Sequence, residues 1–548
     1  MNNYTKYRGF RPIEAKGRRW PGNVITAAPI WCSVDLRDGN QALEIPMTVS
    51  QKLEYFKLLC DIGFKEIEIS FPAASDTEFE FTRRLIEEDL IPGDVTVQVL
   101  TQSRPHLIER TFEALAGVRK AIVHFYNSTS VLQREVVFGK TRDEIIDIAV
   151  SAAALCKRLA EGYGRERFSF EYSPESFTGT ELDYAVEICN NVLDELKPVS
   201  DNKVIINLPS TVEMSTPNIY ADQVEYVIDR IKYREDVIVS LHAHNDRGTA
   251  VAATELAVLA GADRVEGTLF GNGERTGNAD IMTVALNLYT QGIDPGLDFS
   301  RIDEIANIYS RSTRLQVGQR HPYAGELVYT AFSGSHQDAI NKGMARAKEH
   351  PDYWEVPYLT IDPMDVGRNY DPVIRINSQS GKGGAAFVLE ANFGIILPKF
   401  IQPHFGGVVK KASDMAAREL LAQDVFDLFD GVYVNIDTPL MLIGYSDKTD
   451  GQTTGIFKLK RNGEPVEVTG VGDGILEALC SSLHEAFGYD FDITGYHEHA
   501  LEQGSRSRAI TYTAIKNGDG TYYGAGISSS ITKSSIRAII GAVNKMLT

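Results

Sequence analysis

The stretch VIVSLHAHND, residues 237–246, joins an apolar, β-branched run to two histidines. Such a run is typical of a buried β-strand. Residues two apart on a strand point to the same face, so His242 and His244 project together from its end. Neutral imidazole nitrogens suit divalent transition metals, which makes the pair a candidate metal site. Taken alone, the pattern fits two inert, hydrogen-bonded histidines about equally well.

The stretch belongs to a repeated unit, in which a short apolar run, a polar residue and a helical segment follow one another from Trp31 to Gly273. The apolar runs are 31–36, 66–71, 95–100, 121–125, 168–172, 204–208, 237–241 and 265–270. Strands that alternate with helices predict parallel βαβ units, and eight of them predict an α/β chain with a (β/α)8 TIM barrel. An open doubly wound sheet is the alternative. It usually carries a glycine-rich phosphate turn after its first strand, whereas this chain has RDGNQ at 37–41.

Barrel closure brings the ends of strands seven, eight and one together, and catalytic residues of such barrels lie at the carboxyl ends of the strands. Asp38, His242, His244 and Asn278 therefore converge on one predicted metal. This nitrogen and oxygen donor set suits Mg, Mn, Zn or Co. Open coordination positions would accept a 2-oxo acid, and the metal would polarise its ketone. Arg37 is placed to hold the substrate carboxylate or the developing alkoxide.

The bulk properties limit the function classes. The chain has 548 residues and a net charge of −19, which argues against nucleic acid or an anionic membrane as the main partner. No apolar run reaches the length of a membrane span. Five scattered cysteines without a CxxC pattern are typical of a reducing, cytoplasmic location. The predicted domains are an N-terminal arm (1–30), the barrel (31–300), a mainly helical accessory region (301–425) and a C-terminal α/β regulatory domain (426–548).

Two motifs resemble those of the isopropylmalate and homocitrate synthase family. Residues 36–41, LRDGNQ, followed by Lys52, are similar to its first signature. Residues 239–252, with HAHNDRG at 242–248, are similar to its second. The likeness covers nearly the whole chain and is closest to the isopropylmalate-forming branch. It implies condensation of acetyl-CoA with 3-methyl-2-oxobutanoate and thioester hydrolysis, the committed step of leucine synthesis, in a metal-dependent barrel.

The resemblance also implies residue roles. Asp38, His242, His244 and Asn278 become the metal ligands, and Arg37 stabilises the enolate or alkoxide. Thr211 binds the carboxylate of the 2-oxo acid. The residues lining the pocket for its side chain are Leu100, His124, Ser173 and Asn207. Glu175 and Glu274 take part in proton transfer and positioning, although Glu175 is alternatively a hydrogen-bond partner of a ligand.

Beyond the barrel, the resemblance implies that His336, from the partner subunit of a homodimer, completes the active site and that Tyr370 lies near it. The alternatives are purely structural roles, as a helix cap for His336 and as a packed aromatic ring for Tyr370. The C-terminal domain has predicted strands at 432–436, 453–459, 508–516 and 521–528 and helices at 474–487 and 533–547. Glycine-bearing turns at 469–474 and 502–505 stand where the family binds its effector, leucine. A purely structural dimerisation domain is the alternative.

Three other functions stay open. A citramalate or homocitrate synthase would share the mechanism and use a different 2-oxo acid. A barrel lyase would cleave instead of condense, and the long C-terminal domain argues against it. A metabolite sensor without catalytic activity would not depend on the metal ligands for binding.

Overall fold

The computed structural model describes residues 19–331, 333–370, 382–416, 420, 422–501, 507–518 and 520–548. Residues 1–18 of the predicted arm and the whole predicted turn at 502–505 lie outside the described residues. The chain divides into two compact units. One comprises residues 1–329, 349–355 and 359–370, and the other comprises 330–348, 356–358 and 371–548. The predicted domain boundaries stay predictions.

The first unit contains a closed barrel of eight strands, all parallel and in sequence order. The strands are Ile30–Ser33 (β1), Glu66–Ser70 (β2), Thr96–Gln102 (β3), Ala121–Ser128 (β4), Phe168–Glu175 (β5), Val204–Ser210 (β6), Val237–Ala243 (β7) and Arg264–Gly267 (β8). β8 pairs with β1, with Val265 opposite Trp31, which closes the barrel. The predicted (β/α)8 fold is confirmed.

Eight helices alternate with the strands, and a ninth follows the last of them. They are Val49–Ile62 (α1), Asp76–Glu87 (α2), Pro105–Ala114 (α3), Arg142–Tyr163 (α4), Leu182–Leu196 (α5), Pro217–Ile228 (α6), Ala250–Leu259 (α7), Ile281–Tyr289 (α8) and Ile302–Thr313 (α9). Local sequence fixes some of their starts, since Thr48 and Gln51 form a reciprocal cap at α1. None of the described helices combines the length and apolar character needed to cross a membrane.

The first strand is shorter than the predicted run 31–36. The amides of Arg37, Asp38 and Gly39 all donate to the carbonyl of Val34, at 3.2, 2.9 and 3.1 Å. The chain therefore coils at once into a π-helical turn, Asp35–Gly39. The turn matters for function because it places Arg37 and Asp38 at the mouth of the barrel.

The second unit begins with helices and ends with two small sheets. Its helices are Gly334–Glu349 (α10), Lys382–Phe393 (α11), Gln402–Ala416 (α12) and Ala422–Tyr433 (α13). Two three-stranded antiparallel sheets follow. They and their helices are Leu440–Asp450 (β9), Gln452–Arg461 (β10), Glu464–Gly472 (β11), Ile475–Phe487 (α14), Asp492–Ala500 (β12), Ala509–Asn517 (β13), Gly520–Ser528 (β14) and Ile531–Leu547 (α15). The helical accessory region and the C-terminal α/β domain are confirmed as fold classes.

The prediction of a strand at 432–436 is wrong, because α13 continues to Tyr433 and only an isolated bridge at Val434 follows. The sequence reading also missed β9, β11 and β12. The first four residues of the predicted turn at 469–474 are instead the last four residues of β11.

Each small sheet packs against the helix that follows it through a glycine pair on its third strand. A Cβ atom at Gly470 would lie 2.1 Å from the carbonyl oxygen of Ala478, and one at Gly526 would lie 1.9 Å from that of Ser534. Gly472 and Gly524 are equally crowded, since a Cβ atom there would lie 2.7 and 2.3 Å from helix backbone atoms. The two halves of the domain are thus built on one plan, with helix backbone resting on sheet backbone.

Candidate active site

Asp38, His242 and His244 bring their ligand atoms within 4.8 Å of one another at the mouth of the barrel. The Asp38 Oδ2 atom lies 3.6 Å from Nε2 of His242 and 3.9 Å from Nε2 of His244. His242 lies on β7 and His244 comes directly after its last residue, so the two side chains, two positions apart, point to the same side. Asp38 reaches them because β1 and β8 pair and close the barrel. All three side chains are buried. One carboxylate and two imidazoles that converge in this way fit a divalent cation.

Asn278 also reaches the cluster. Its Nδ2 atom donates to Oδ2 of Asp38 at 2.8 Å and to the carbonyl of Asn272 at 3.0 Å. Its Oδ1 atom is buried and has no hydrogen-bond partner among the described residues. The amide nitrogen, not the oxygen, therefore faces Asp38, and the amide would have to turn over for Oδ1 to bind a cation there.

Glu266 fixes the orientation of His242. Its Oε2 atom lies 2.8 Å from Nδ1 of the imidazole, which leaves Nε2 directed to Asp38. A carboxylate on the far nitrogen of a histidine ligand is a common support of metal sites. Burial lowers the pKa of His242, but the hydrogen bonds to Asp38 and Glu266 outweigh it and raise the pKa to about 9. Burial and the neighbouring His242 lower the pKa of His244 to about 4.

Arg37 lies between the cluster and the interior of the barrel. Its guanidinium donates to Asp38 and to Glu68. Burial opposes the ionised form of Asp38, but the charge of Arg37 and the hydrogen bond to His242 hold the pKa of this carboxyl below its usual range. Asp38 is therefore a carboxylate, the form in which it can bind a cation.

The cluster opens onto a cavity of about 210 Å³ at the carboxyl ends of the strands. Its lining consists of Arg37, Asp38, Gln41, Leu100, His124, Tyr126, Ser173, Glu175, Asn207, Pro209, Thr211, His242, His244, Glu274 and Arg275. Most residues predicted from the sequence are thus brought together in one place. Such a cavity at this face of a barrel is the default position of an active site.

One wall of the cavity is a hydrogen-bonded chain. His124 contacts Oε2 of Glu68 through Nδ1 at 2.9 Å and the hydroxyl of Ser173 through Nε2 at 2.8 Å. Asn207 donates to the same hydroxyl at 3.0 Å. Leu100, from β3, adds an apolar surface beside them. The wall therefore combines one aliphatic contact with polar groups held in fixed orientations.

The two predicted proton-transfer carboxylates lie in different surroundings. Glu175, at the end of β5, accepts a hydrogen bond from Ser128. Glu274 lies on the loop after β8, and its Oε1 atom is 3.4 Å from Nε2 of Gln41 in an exposed contact. Glu175 is accordingly the more firmly held of the two.

Below the cavity, the barrel interior is polar where layers of branched apolar side chains are usual. Arg264 is fully buried and donates to four partners. These partners are Glu66 at 2.6 Å, Ser240 at 2.9 Å, Glu266 at 2.8 Å and Gln98 at 2.7 Å. We call Glu68, Gln98, Glu171, Arg264 and Glu266 the polar floor. It supports His124 and His242 from beneath.

Glu68 and Glu266 of the polar floor form, together with His124 above them, a second carboxylate and imidazole cluster. Its groups are already engaged with Arg37, Gln98 and Arg264. Cationic and amide donors occupy the space that a metal ion would need. The cluster at Asp38 is therefore the better candidate for a cation.

Family models match the three parts of the chain in order. A model described as HMGL-like matches residues 28–308, and one described as "Alpha-isopropylmalate synthase, post-catalytic domain-like" matches 326–390. A third, described as "LeuA allosteric (dimerisation) domain", matches 419–547. A 2-isopropylmalate synthase from Acetoanaerobium sticklandii is 57% identical over 550 residues, which cover 100% of this chain and 97% of the relative. The chain belongs to the 2-isopropylmalate synthase family. A family member from Clostridium acetobutylicum is 53% identical over 99% of each chain.

Among solved structures, a hydroxymethylglutaryl-CoA lyase from Pseudomonas aeruginosa matches 54% of this chain and 97% of its own, with 18% identity and a TM-score of 0.44.

Besides Asn278, which contacts Asp38, two residues to which the family resemblance gave a role do not line the cavity. His336 is exposed on α10 and stacks on Tyr358, with 4.1 Å between the ring centroids. Tyr370 is half-buried, and burial raises the pKa of its hydroxyl. The roles of both residues stay predictions.

The sequence reading missed four residues of the cavity lining, Gln41, Tyr126, Pro209 and Arg275, and nearly all of the polar floor. A signal for the floor is present in the sequence. Glu66, Glu68, Gln98, Arg264 and Glu266 stand at alternate positions of strands that a barrel buries on both faces. Polar residues with a period of two in such strands indicate a charged interior.

Proposed function

We propose that this chain condenses acetyl-CoA with 3-methyl-2-oxobutanoate and water to give 2-isopropylmalate and free CoA. The observation that carries the proposal is the cluster of Asp38, His242 and His244 on the wall of a cavity that also presents Leu100. Sequence identities of 57% and 53% to 2-isopropylmalate synthases, over nearly the full length of the chain, support the same two substrates. Citramalate and homocitrate synthesis are the alternatives that the assay below distinguishes.

A divalent cation, Mg, Mn or Zn, held by Asp38, His242 and His244 supplies Lewis-acid polarisation of the substrate ketone when it is bound. Asn278 joins these ligands if its amide turns over. The orphaned Oδ1 of Asn278 supports this arrangement, because a buried acceptor without a donor fits a cation better than it fits an empty site.

The protein's own side chains fix the 2-oxo acid. Thr211 accepts a hydrogen bond from the amide of Ser176 at 2.9 Å, so its hydroxyl hydrogen is left to donate to the substrate carboxylate. Arg37 faces the same region and offsets the negative charge that develops on the former ketone oxygen. Leu100, with the wall of His124, Ser173 and Asn207, surrounds the isopropyl group.

Carbon–carbon bond formation requires a base for the acetyl methyl group, because the methyl of a thioester is a weak acid. Glu175 and Glu274 are the carboxylates of the cavity lining outside the metal cluster. We assign proton transfer and positioning to this pair. A water molecule then attacks the thioester carbonyl, and the thiolate of CoA leaves with a proton.

A thiol-release assay with a panel of 2-oxo acids tests the substrate. We expect the highest kcat/KM with 3-methyl-2-oxobutanoate, together with side activities, since one methylene in an apolar pocket is worth only about 1–3 kcal/mol. A preference for pyruvate or 2-oxoglutarate would assign the chain to the alternatives. Treatment with EDTA is expected to abolish thiol release, and added divalent metal is expected to restore it.

The C-terminal domain suggests regulation and assembly. We propose that the chain forms a homodimer in the cytoplasm and that leucine inhibits it, with His336 and Tyr370 acting near the active site of the dimer. The match to a "LeuA allosteric (dimerisation) domain" supports the dimer and the effector site, and five free cysteines support the location. Unchanged activity at saturating leucine would refute the regulatory part.

A further inference from the structure

Arg275 ties together the ends of three barrel strands. Its guanidinium donates to the Asp246 carboxylate from Nε at 2.7 Å and from Nη2 at 3.1 Å. The same Nη2 atom donates to the carbonyl of Thr211 at 2.6 Å. Thr211 follows β6, Asp246 follows β7 and Arg275 follows β8. One side chain therefore braces three neighbouring loops at the mouth of the cavity.

The loop that carries Arg275 is itself held in one conformation. Gly277 has a φ of +100°, and a Cβ atom there would lie 1.9 Å from the carbonyl oxygen of Gly271. The Gly277 carbonyl accepts from the amide of Asn245 at 2.9 Å, and the amide of Asn278 donates to Gly271 at 3.0 Å. Arg275 has a positive φ of 56° within this turn. The constrained loop fixes the position of the Arg275 side chain, although 42% of this side chain is exposed.

Thr211 is consequently fixed from two sides. Its hydroxyl oxygen accepts from the amide of Ser176, and its carbonyl accepts from Arg275. These contacts hold the backbone of Thr211 in place beside the metal cluster, and a shift of this loop would move the hydroxyl away from it. Displacement of a binding group by about 1 Å can reduce the turnover rate by about 100-fold.

We propose that Arg275 is a positioning residue for the 2-oxo acid, acting through Thr211 and anchored by Asp246. The inference rests on the proposed function, because it takes Thr211 as the ligand of the substrate carboxylate. Direct contact of Arg275 with the phosphates of acetyl-CoA is the competing role. The geometry favours positioning, since the guanidinium already has two partners on the protein.

The experiment measures kcat and both KM values for Arg275→Gln. We expect the KM for the 2-oxo acid to rise about tenfold while the KM for acetyl-CoA stays unchanged. Arg275→Lys is expected to restore little, because an ammonium cannot reproduce the forked contact with a carboxylate and a carbonyl. Arg247→Gln, next to Asp246 and outside the cavity lining, is the matched control and is expected to leave the kinetics unchanged.

Double variants test whether Arg275 acts on substrate binding through Asp246 and Thr211. Asp246→Asn is expected to raise the same KM, and its combination with Arg275→Gln is expected to add nothing further. In a Thr211→Val background, Arg275→Gln is expected to have no additional effect on the KM for the 2-oxo acid, since the group it positions is gone.

Three results would overturn the inference. A rise in the KM for acetyl-CoA would indicate a phosphate contact. A fall in kcat and in Tm with both KM values unchanged would indicate a purely structural role. Full additivity with Thr211→Val would show that Arg275 does not act through Thr211. A different preferred 2-oxo acid would refute only the proposed substrate, because every 2-oxo acid carries the same carboxylate and the KM test applies to it.

Discussion

Glu266→Gln is expected to weaken metal binding without touching a ligand. The Glu266 carboxylate accepts from His242 and Asn207 on one oxygen, and from Arg264 and Gln98 on the other. Glutamine offers a single acceptor, and its NH2 group must face one of these pairs of donors. Arg264 cannot accept a hydrogen bond, so the NH2 group is expected to turn to His242.

A cation binds only the neutral imidazole, and in that form the consequence for His242 is a change of tautomer. An NH2 group that donates to Nδ1 places the imidazole proton on Nε2, the atom that lies 3.6 Å from Asp38. A protonated Nε2 cannot bind a cation. Loss of such a support typically weakens metal affinity about 10–100-fold, which corresponds to about 1.4–2.7 kcal/mol.

Glu171→Gln is the matched control. Glu171 lies in the same polar floor and is fully buried, but it contacts His124 and Arg264 instead of His242. Burial and the neighbouring Glu266 raise the pKa of Glu171, so a neutral glutamine is a smaller change there than at Glu266.

Calorimetric titration of metal-free protein with Mn²⁺ measures the effect directly, independently of turnover. Equal weakening by Glu266→Gln and Glu171→Gln, or unchanged affinity in Glu266→Gln, would refute the reasoning.

Three further outcomes are expected. Asp38→Asn should abolish thiol release while the far-ultraviolet circular dichroism spectrum is retained; residual turnover above about one per cent of the original would contradict a ligand role. Gly526→Ala should lower the Tm of the C-terminal domain in calorimetry, because its Cβ atom would meet the Ser534 carbonyl, whereas Gly444→Ala has open space and should not. The hydrogen bond from Arg134 lowers the pKa of Glu181 to about 2. The stabilisation from this contact is therefore complete above about pH 4.5 and is lost as the pH falls toward 2. Glu181→Gln at pH 7 should speed the amide hydrogen exchange of residues 130–140, and an unchanged exchange rate would contradict this.

The sequence was sufficient for the barrel and for most of the cavity lining. Near-continuous apolar runs that alternate with helical stretches leave few topologies, and barrel closure then makes Asp38 a neighbour of the β7 histidines. Family motifs added residues such as Thr211, whose local pattern carries no chemical signal of its own. The structure places these groups together, and their catalytic roles stay predictions.

Other features depended on contacts that sequence spacing does not encode. The amide of Asn278 faces Asp38 through its nitrogen because the carbonyl of Asn272 lies on the same side. Arg275 follows a strand by eight residues, and only the turn at Gly277 directs it back over Thr211. The strands β9 and β12 were missed because their many exposed polar residues interrupt the apolar alternation of a buried strand. β11 was missed because glycines occupy two of its buried positions.

The polar floor limits how this barrel can be adapted. Arg264 is fully buried and donates to Glu66 and Glu266, so replacing Arg264 alone strands carboxylates that the interior cannot solvate. Natural or engineered substitutions in the polar floor must therefore replace two or more interacting residues together. Leu100 makes no such polar contact, so new preferences for the side chain of the keto acid should arise at Leu100 while the polar floor stays unchanged.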